Sequence, residues 1–366
     1  MKNIISKLVF TVMSIIGIFS FASNNITNVK AATNGGYALQ VLGKSNDNVN
    51  IDNGSYVITG DPGQKVEVKL GIVNQESDTR TFLYNANTAY TTDNGNLGYD
   101  KTKVVDSSLK IQTRNIVTPN KGTISIPGKS TATVTATITV PKKSFDGYLM
   151  GGFNVSPYKE KAKGTVTSNG TLIKNKFSYS IPIQIHQTGK DKIEPKYSVR
   201  TVKPNTVAAT NGKEPGVLAN VHNSNNSYSG SLSAEAIVTK KGDKKFKITN
   251  KSTSQEIAPT SNYNYSISWG KKSLQAGDYH LKLTYKTAGG IKSWVLNKDF
   301  TITNSDAAKY NKLAGIKPNY MWLYILLAIL ALAIILGLGI YLGKKNNKNN
   351  GNNGGPNNQP TRRRRR

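Results

Sequence analysis

The chain has 366 residues, contains no cysteine and carries 49 basic against 20 acidic side chains, a formal net charge of +29. The missing cysteine excludes a disulfide framework and a cysteine nucleophile, so a chain of this length must bury its cores by packing alone. An exported protein without disulfides favours the surface of a Gram-positive bacterium over an animal one. The charge either attracts anionic polymers and lipid headgroups or simply keeps a lysine-coated surface soluble.

Residues 1–31 are typical of a signal peptide. Lys2 and Lys7 supply the charged start, residues 8–22 are apolar, and a small-residue pattern precedes a cut after Ala31. An uncleaved anchor helix is the alternative, but the apolar run is short for a membrane span. The sequence therefore predicts that the chain is exported.

Residues 320–342 contain no charged side chain and match the ~30 Å hydrocarbon core of a bilayer. Amphipathic rings near both ends favour the headgroup level, and positive residues stay on the cytoplasmic side. The segment predicts one transmembrane helix, with the N-terminal ectodomain outside the cell membrane. The residues assigned to the span and its cytoplasmic anchor are Tyr320, Trp322, Tyr324, Tyr341 and Leu342, then Lys344 and Lys345.

The segment 343–366 is rich in Asn, Gly and Lys and ends in five arginines at 362–366. Such a composition buries nothing, so we expect a disordered basic cytoplasmic tail. No Leu-Pro-x-Thr-Gly motif precedes residue 320, where the residues read Leu-Ala-Gly-Ile-Lys-Pro-Asn. The protein is therefore expected to remain in the membrane and not to be linked to the wall by a sortase.

Residues 32–304 show alternating polar and apolar side chains bounded by Gly, Asn, Asp and Pro, as in 65–70 and 131–140. This pattern predicts an all-β ectodomain of two immunoglobulin-like antiparallel β-sandwich domains, at 32–187 and 188–304. Residues 305–319 are expected to form a juxtamembrane linker.

Signals for catalysis, metal binding or cofactor binding are weak throughout the sequence. The histidines are far apart and belong to no metal-spaced cluster, and no nucleophile elbow or phosphate loop is present. Scattered acidic residues are interpreted as turn residues and not as paired glycosidase carboxylates. The residues considered are His186, His222 and His280, and Asp93, Asp100 and Asp146. We therefore predict no enzyme activity, no metal and no cofactor.

The paired Gly151 and Gly152 stand inside an apolar stretch that also contains Tyr148 and Phe153. Glycines in a strand cost backbone entropy, so they indicate a bulge or the close approach of another backbone or ligand. The alternative is a constraint of sheet-on-sheet packing. On the first reading these four residues are the candidate partner-binding residues.

Several segments of the two modules form a recognisable pattern. In the first module they are the turn at Pro62 and Gly63, the segment 89–99 and the segment 145–152. In the second module they are 202–205 and the Asn-rich run 220–226, matched mostly by order and composition. Together with the terminal helix and basic tail, these segments resemble the WxL-interacting proteins of Gram-positive bacteria.

The resemblance implies a peptidoglycan-binding first domain, a host-binding second domain and secreted partners that carry a WxL wall-binding domain. The predicted function is a membrane-anchored surface scaffold or adhesin that binds peptidoglycan, anionic wall polymers, WxL-domain proteins and a host matrix protein, with no specific nucleic acid. If a WxL partner binds by adding a strand, the edge formed by 148–153 is the expected place. A cell-wall hydrolase and an assembly chaperone for secreted subunits are the alternatives.

Overall fold

The computed structural model describes residues 35–160, 164–166, 172–174, 177–210, 212–317 and 320–349. The predicted signal peptide lies outside these residues, as does the tail from 350 onward. The chain is mostly β-structure and divides into two compact units between Ala314 and Gly315. The first unit contains both sandwiches, and the second contains the long apolar helix.

The first sandwich packs a four-stranded sheet, in the order β1-β4-β10-β8, against a six-stranded sheet, in the order β2-β3-β14-β11-β5-β9. Two small hairpins, β6-β7 and β12-β13, accompany them. The strands are β1 (Tyr37–Leu42), β2 (Val49–Asn50), β3 (Tyr56–Gly60), β4 (Lys65–Asn74), β5 (Arg80–Thr88), β6 (Tyr90–Thr91), β7 (Leu97–Gly98), β8 (Val117–Thr118), β9 (Lys121–Ile126), β10 (Thr131–Thr139), β11 (Leu149–Pro157), β12 (Gly164–Val166), β13 (Leu172–Lys174) and β14 (Tyr179–Gln187). The pairing of β3 with β14 is parallel, which departs from the predicted antiparallel plan.

The alternating pattern of β4 explains why this segment is a strand. Its apolar side chains Val66, Val68 and Leu70 are buried in the core, while Lys65 and Glu67 on the other face are exposed. Burying a side chain of this size contributes roughly 1.5–3 kcal/mol. The alternation therefore fixes which face of the sheet is covered, and a slip of one residue would turn every apolar side chain outward.

The second sandwich packs a three-stranded sheet, β15-β16-β19, against a four-stranded sheet, β18-β17-β20-β21. Its strands are β15 (Tyr197–Ala209), β16 (Gly212–Asn223), β17 (Ser229–Lys240), β18 (Asp243–Ile257), β19 (Ser261–Ser268), β20 (Gly277–Lys286) and β21 (Ser293–Ile302). All these pairings are antiparallel. The core is rich in tyrosine, and the buried hydroxyls of Tyr263 and Tyr285 lie 2.6 Å apart, so each satisfies the other.

A ten-residue helix, α1 (Asn304–Leu313), occupies most of the predicted juxtamembrane linker 305–319. Thr303 caps the helix by accepting a hydrogen bond from the amide of Asp306. Ala307 is buried in the second core, and the Asn311 side chain exchanges two hydrogen bonds with the backbone of Leu274. Packing and capping stabilise a helix whose sequence alone has little helical period.

Strand β11, which carries Gly151 and Gly152, is an inner strand and not an edge. It pairs with β14 on one side and β5 on the other, so the expected strand addition at 148–153 is wrong. A Cβ on Gly151 would collide with Thr113 and lie 2.5 Å from the Asn87 carbonyl oxygen, and Phe153 is fully buried. The structure thus agrees with the packing interpretation of the paired glycines.

The helix α2 (Met321–Asn349) contains a 22-residue segment, Leu323–Lys344, of mean hydropathy 2.9, none of which is buried against protein. At 1.5 Å per residue this segment is about 33 Å long, enough to cross a bilayer. The predicted span residues Tyr324, Tyr341 and Leu342 lie on this helix with exposed side chains. The helix continues through residues 343–349, so the prediction of disorder is wrong for these residues, while residues 350–366 lie outside the described part of the chain.

Replacing Gly152 with alanine is expected to destabilise the first sandwich by about 1–3 kcal/mol, the usual cost of overpacking. Its new Cβ would lie 2.7 Å from a ring carbon of Tyr99 and 3.0 Å from the Ile181 carbonyl oxygen. Urea unfolding of the full chain in detergent measures the loss. Gly71→Ala is the control, because its nearest neighbours are at 3.1–3.3 Å on the flexible side chains of Gln40 and Leu42. Equal stability of both variants would contradict the packing role.

Candidate functional site

The two sandwiches meet at a junction built from the segments that carry the family resemblance. Its apolar centre joins Ala89, Tyr99 and Met150 of the first sandwich to Ala258 of the second. Tyr148 packs at its side, where its hydroxyl donates to the Tyr228 carbonyl at 3.1 Å and accepts from the Tyr228 amide at 2.9 Å. The predicted partner-binding residue Tyr148 therefore contacts the second sandwich of the same chain.

Hydrogen bonds between the two sandwiches surround this apolar centre. The amide of Tyr148 donates to the Asn226 carbonyl at 2.8 Å. Asp93 accepts from the amide of Asn264 at 2.8 Å, and Thr91 Oγ1 accepts from the amide of Ala258 at 2.9 Å. Backbone groups of the second sandwich thus find partners on the first, which fixes the position of one against the other.

A buried carboxylate, that of Asp106, anchors a loop of the first sandwich on the sheet β15-β16-β19. Its side chain has no exposed surface. Oδ2 lies 3.1 Å from Arg200 and accepts from Asn262 Nδ2 at 2.6 Å, and Oδ1 lies 3.1 Å from His222 Nε2. Oδ1 also accepts from the amide and hydroxyl of Ser108. All four partners favour the charged form of the carboxylate.

These contacts set the protonation states at the junction. Burial alone would raise the pKa of Asp106, but the hydrogen bonds from Ser108 and Asn262 and the nearby His222 hold that pKa well below its usual range. Burial, aided by the charge of Arg200, lowers the pKa of His222 despite the opposing pull of Asp106. At neutral pH an ionised carboxylate therefore faces a neutral imidazole, whose Nε2–H donates to it.

A polar cleft of about 340 Å³ opens beside this network, lined from both sandwiches. Lys101 Nζ lies 3.9 Å from the centre of the Tyr90 ring, and the Tyr90 hydroxyl donates to Asp100 at 2.7 Å. Burial and the Asp100 carboxylate raise the pKa of Tyr90, so the phenol stays protonated. Asp93 and Asn264 also line the cleft, and such a lining offers donors and acceptors for a polar ligand.

The three histidines lie apart, as their spacing in the sequence suggests. His186 packs on Tyr148 with ring centres 4.9 Å apart, His222 belongs to the Asp106 network, and His280 contacts Asp299 at 2.6 Å on an exposed face. Within the described ranges no group of three metal-ligating side chains converges.

Sequence reasoning missed Asp106, Arg200 and Asn262 as junction residues. The partners of Asp106 are 94 and 156 positions away, so no local spacing connects them. One signal was available: only Arg80, Arg114 and Arg200 precede the arginine tail in a chain rich in lysine. The side chains of all three arginines make several hydrogen bonds, as expected because the planar guanidinium group presents several N–H donors in a fixed geometry.

Two family models match the chain. The model described as the WxL Interacting Protein peptidoglycan binding domain matches residues 43–157, and the one described as the WxL Interacting Protein host binding domain matches residues 168–312. No curated protein matches the sequence.

Among solved structures, the class 5 fimbriae chaperone CfaA is 10% identical, covers 71% of this chain and 99% of its own, and has a TM-score of 0.27. The E. coli chaperone DraB is 13% identical, covers 73% of this chain and 98% of its own, and has a TM-score of 0.25. Similarity this low carries no functional argument.

Replacing Asp106 with asparagine is expected to lower the free energy of unfolding by about 2 kcal/mol. A buried ion pair that loses one partner usually costs about 3–5 kcal/mol, and Arg200, which is one third exposed, recovers part of this from water. Urea unfolding measures the loss, and hydrogen exchange at the Asn264 amide shows whether the junction loosens. Glu235→Gln, which breaks an exposed pair with Lys251, is the control and should cost under about 1 kcal/mol. Unchanged exchange at Asn264 in the Asp106 variant would contradict the anchoring role.

Acidification from pH 7 to pH 5 is expected to destabilise the protein partly through His222. Because its pKa is lower in the folded than in the unfolded chain, the unfolded state binds more protons below about pH 6.5. This contribution to stability is complete above that pH and is lost as the pH falls. Urea midpoints across this range should fall less steeply for His222→Gln than for the unmodified chain. Parallel slopes would show that His222 titrates alike in both states.

Proposed function

The chain belongs to the WxL Interacting Protein family, and we propose that it is a non-enzymatic cell-surface scaffold that bridges the membrane, the wall and partner proteins. In this proposal the first sandwich binds peptidoglycan, the second binds a host factor such as a matrix protein, and secreted WxL-domain proteins assemble with both. The observation that carries the proposal is that the wall-binding model matches within the first sandwich, while the host-binding model covers the second sandwich together with β14 of the first, and the two sandwiches share one continuous junction.

The junction supports a scaffold because it leaves little freedom between the two binding domains. A flexible tether between domains is normally polar and makes few contacts. Here an apolar centre, backbone hydrogen bonds and the buried Asp106 network connect them. A ligand held by one sandwich would therefore be presented at a fixed distance from a ligand held by the other.

Anchoring of the scaffold in the cell membrane is part of the proposal. The exposed apolar segment Leu323–Lys344 supports it, because about 33 Å of apolar helix without protein cover is unfavourable in water. Lys344 and Lys345 at the end of this segment support a cytoplasmic C-terminal side, because positive residues prefer that side of the membrane. The sandwiches would then face the wall.

Binding without hydrolysis is supported by the state of the acidic residues at the cleft. Asp100 accepts from Tyr90, and Asp93 accepts from a backbone amide of the second sandwich. A hydrolase needs one carboxyl group free to give a proton and another to attack or to activate water. Asp100 instead holds a tyrosine hydroxyl of its own sandwich, and Asp93 holds an amide of the second sandwich.

Sedimentation with purified sacculi tests the proposal. We expect the full chain in zwitterionic detergent to pellet with sacculi whose phosphate polymers have been removed by acid, and to do so at 0.1 M and at about 0.5 M salt, where the Debye length is well below 10 Å. Soluble glycan-peptide fragments should compete with this binding.

Chromatography of the supernatant is the second readout of this experiment. Release of soluble muropeptides would refute the non-enzymatic scaffold and favour the hydrolase. Loss of pelleting at the higher salt would mean that the first sandwich binds sacculi through charge attraction alone.

A further inference from the structure

We propose that the solvent face of the sheet β18-β17-β20-β21 binds a linear phosphodiester polymer of the cell wall, as a second wall contact beyond the peptidoglycan site. We call this surface the basic face. It is defined by five outward-pointing lysines: Lys245, Lys247, Lys251, Lys282 and Lys286. The inference extends the proposed function, since it relies on the second sandwich facing the wall.

The geometry of the basic face is that of a shallow track. Lys245, Lys247 and Lys251 follow one another along β18, and Lys282 and Lys286 stand on β20. Strand β17 runs between them and pairs with both. Because neighbouring strands are about 4.8 Å apart, the two lysine rows lie roughly 10 Å from each other, with β17 as the floor.

The floor of the track is uncharged except at one position. Ser233, Ile237 and Thr239 of β17 lie outward between the rows, opposite positions of β18 or β20. The exception, Glu235, forms an exposed ion pair with Lys251 at 3.1 Å. Three further carboxylates lie toward the strand ends of this sheet. They are Asp243 at the start of β18, which accepts from the Lys245 amide, Asp278 on β20, which accepts from Thr301, and Asp299 on β21, which pairs with Lys241 and His280. The track therefore keeps an excess of positive charge.

The chemistry of the basic face selects a ligand class. Residues 229–302, all described by the structure, contain no arginine, so bidentate recognition is not available. The outward positions on the four strands carry no Phe, Tyr or Trp, so neither nucleobases nor sugar rings find a stacking partner. What remains are ammonium groups spaced along the strands by about 6.6 Å between Lys245 and Lys247, and by about 13 Å, twice that distance, in the pairs Lys247/Lys251 and Lys282/Lys286. Point charges spaced in this way fit a polymer with one phosphate in each short repeat.

The edge position of β18 explains part of this pattern of lysines. Lysines on an edge strand prevent sheets from pairing edge to edge, and β18 is an edge of its sheet. Lys282 and Lys286 are not explained in this way, because β20 is paired on both sides by β17 and β21. The second row of the track thus points to a ligand.

The test measures binding of soluble, lipid-free poly(glycerol phosphate) to the full chain in zwitterionic detergent by fluorescence anisotropy. Every protein carries Arg362–Arg366→Gln, so that the tail does not bind the probe. The face variant replaces Lys245, Lys247, Lys251, Lys282 and Lys286 with glutamine. The matched control replaces five exposed lysines elsewhere with glutamine: Lys44, Lys121, Lys142, Lys143 and Lys190.

We expect the face variant to weaken binding at least tenfold at low salt and to lower the slope of log affinity against log salt by about 3.5, since each of the five lost contacts removes about 0.7. The control should change affinity less than threefold. The variant Lys282→Gln/Lys286→Gln keeps the edge lysines and should still lose about threefold, which guards against a misfolded five-site variant. The face variant should also still pellet with sacculi stripped of phosphate polymers, which separates this proposal from the peptidoglycan site.

Three outcomes would overturn the proposal. Equal losses in the face variant and the control would mean that binding follows net charge alone. An unchanged affinity in the face variant would place the polymer elsewhere. Binding of a sulfated polysaccharide of matched charge density, without binding of the phosphate polymer, would assign the basic face to a host glycan instead.

Discussion

The arrangement of the two sandwiches depends on the placement of one buried charge. The carboxylate of Asp106 has no contact with water, and a charge in that position is tolerated only when nearly every lone pair has a partner. Its partners come from β15, β16 and β19 of the other sandwich and from the Ser108 turn of its own loop. The loop therefore has one acceptable position, and the two sandwiches are held in register by the same contacts.

This constraint changes the meaning of the segments that carry the family resemblance. Segments 89–99 and 145–152 lie at the junction and in the inner strand β11, where they hold the sandwiches together and provide close packing. The basic face is on the opposite sheet of the second sandwich, away from β15, β16 and β19. The segments that resemble the family thus serve contacts inside the molecule. The candidate ligand surface consists of lysines that form no recognisable motif in the sequence.

The sequence was sufficient to predict the fold class, because alternation over β4 and β10 reports directly which side chains are buried. The same signal carries no information on which strand lies next to which. The sequence-based prediction therefore missed that β11 is an inner strand and that β3 pairs with β14 in parallel. Helix α1 was missed because one buried alanine and a capping threonine leave almost no period to detect. The Asp106 network was beyond reach for a similar reason, since its members meet only after both sandwiches have folded.

The parallel pair β3-β14 has a consequence for how the chain is made. Residues 56–60 find their neighbours only at 183–187, and the Tyr37 hydroxyl donates to the carbonyl of Val155. Contacts so distant in sequence form slowly, because a long loop must close before they contribute. In the second sandwich, by contrast, β20 and β21 adjoin as a hairpin. In a nascent chain the first sandwich must therefore wait for its own last strand, whereas the β20-β21 hairpin of the second sandwich can form as soon as both strands are available. Until the first sandwich closes, its earlier strands present open edges, so this is the stage of folding at which escort by other factors matters most.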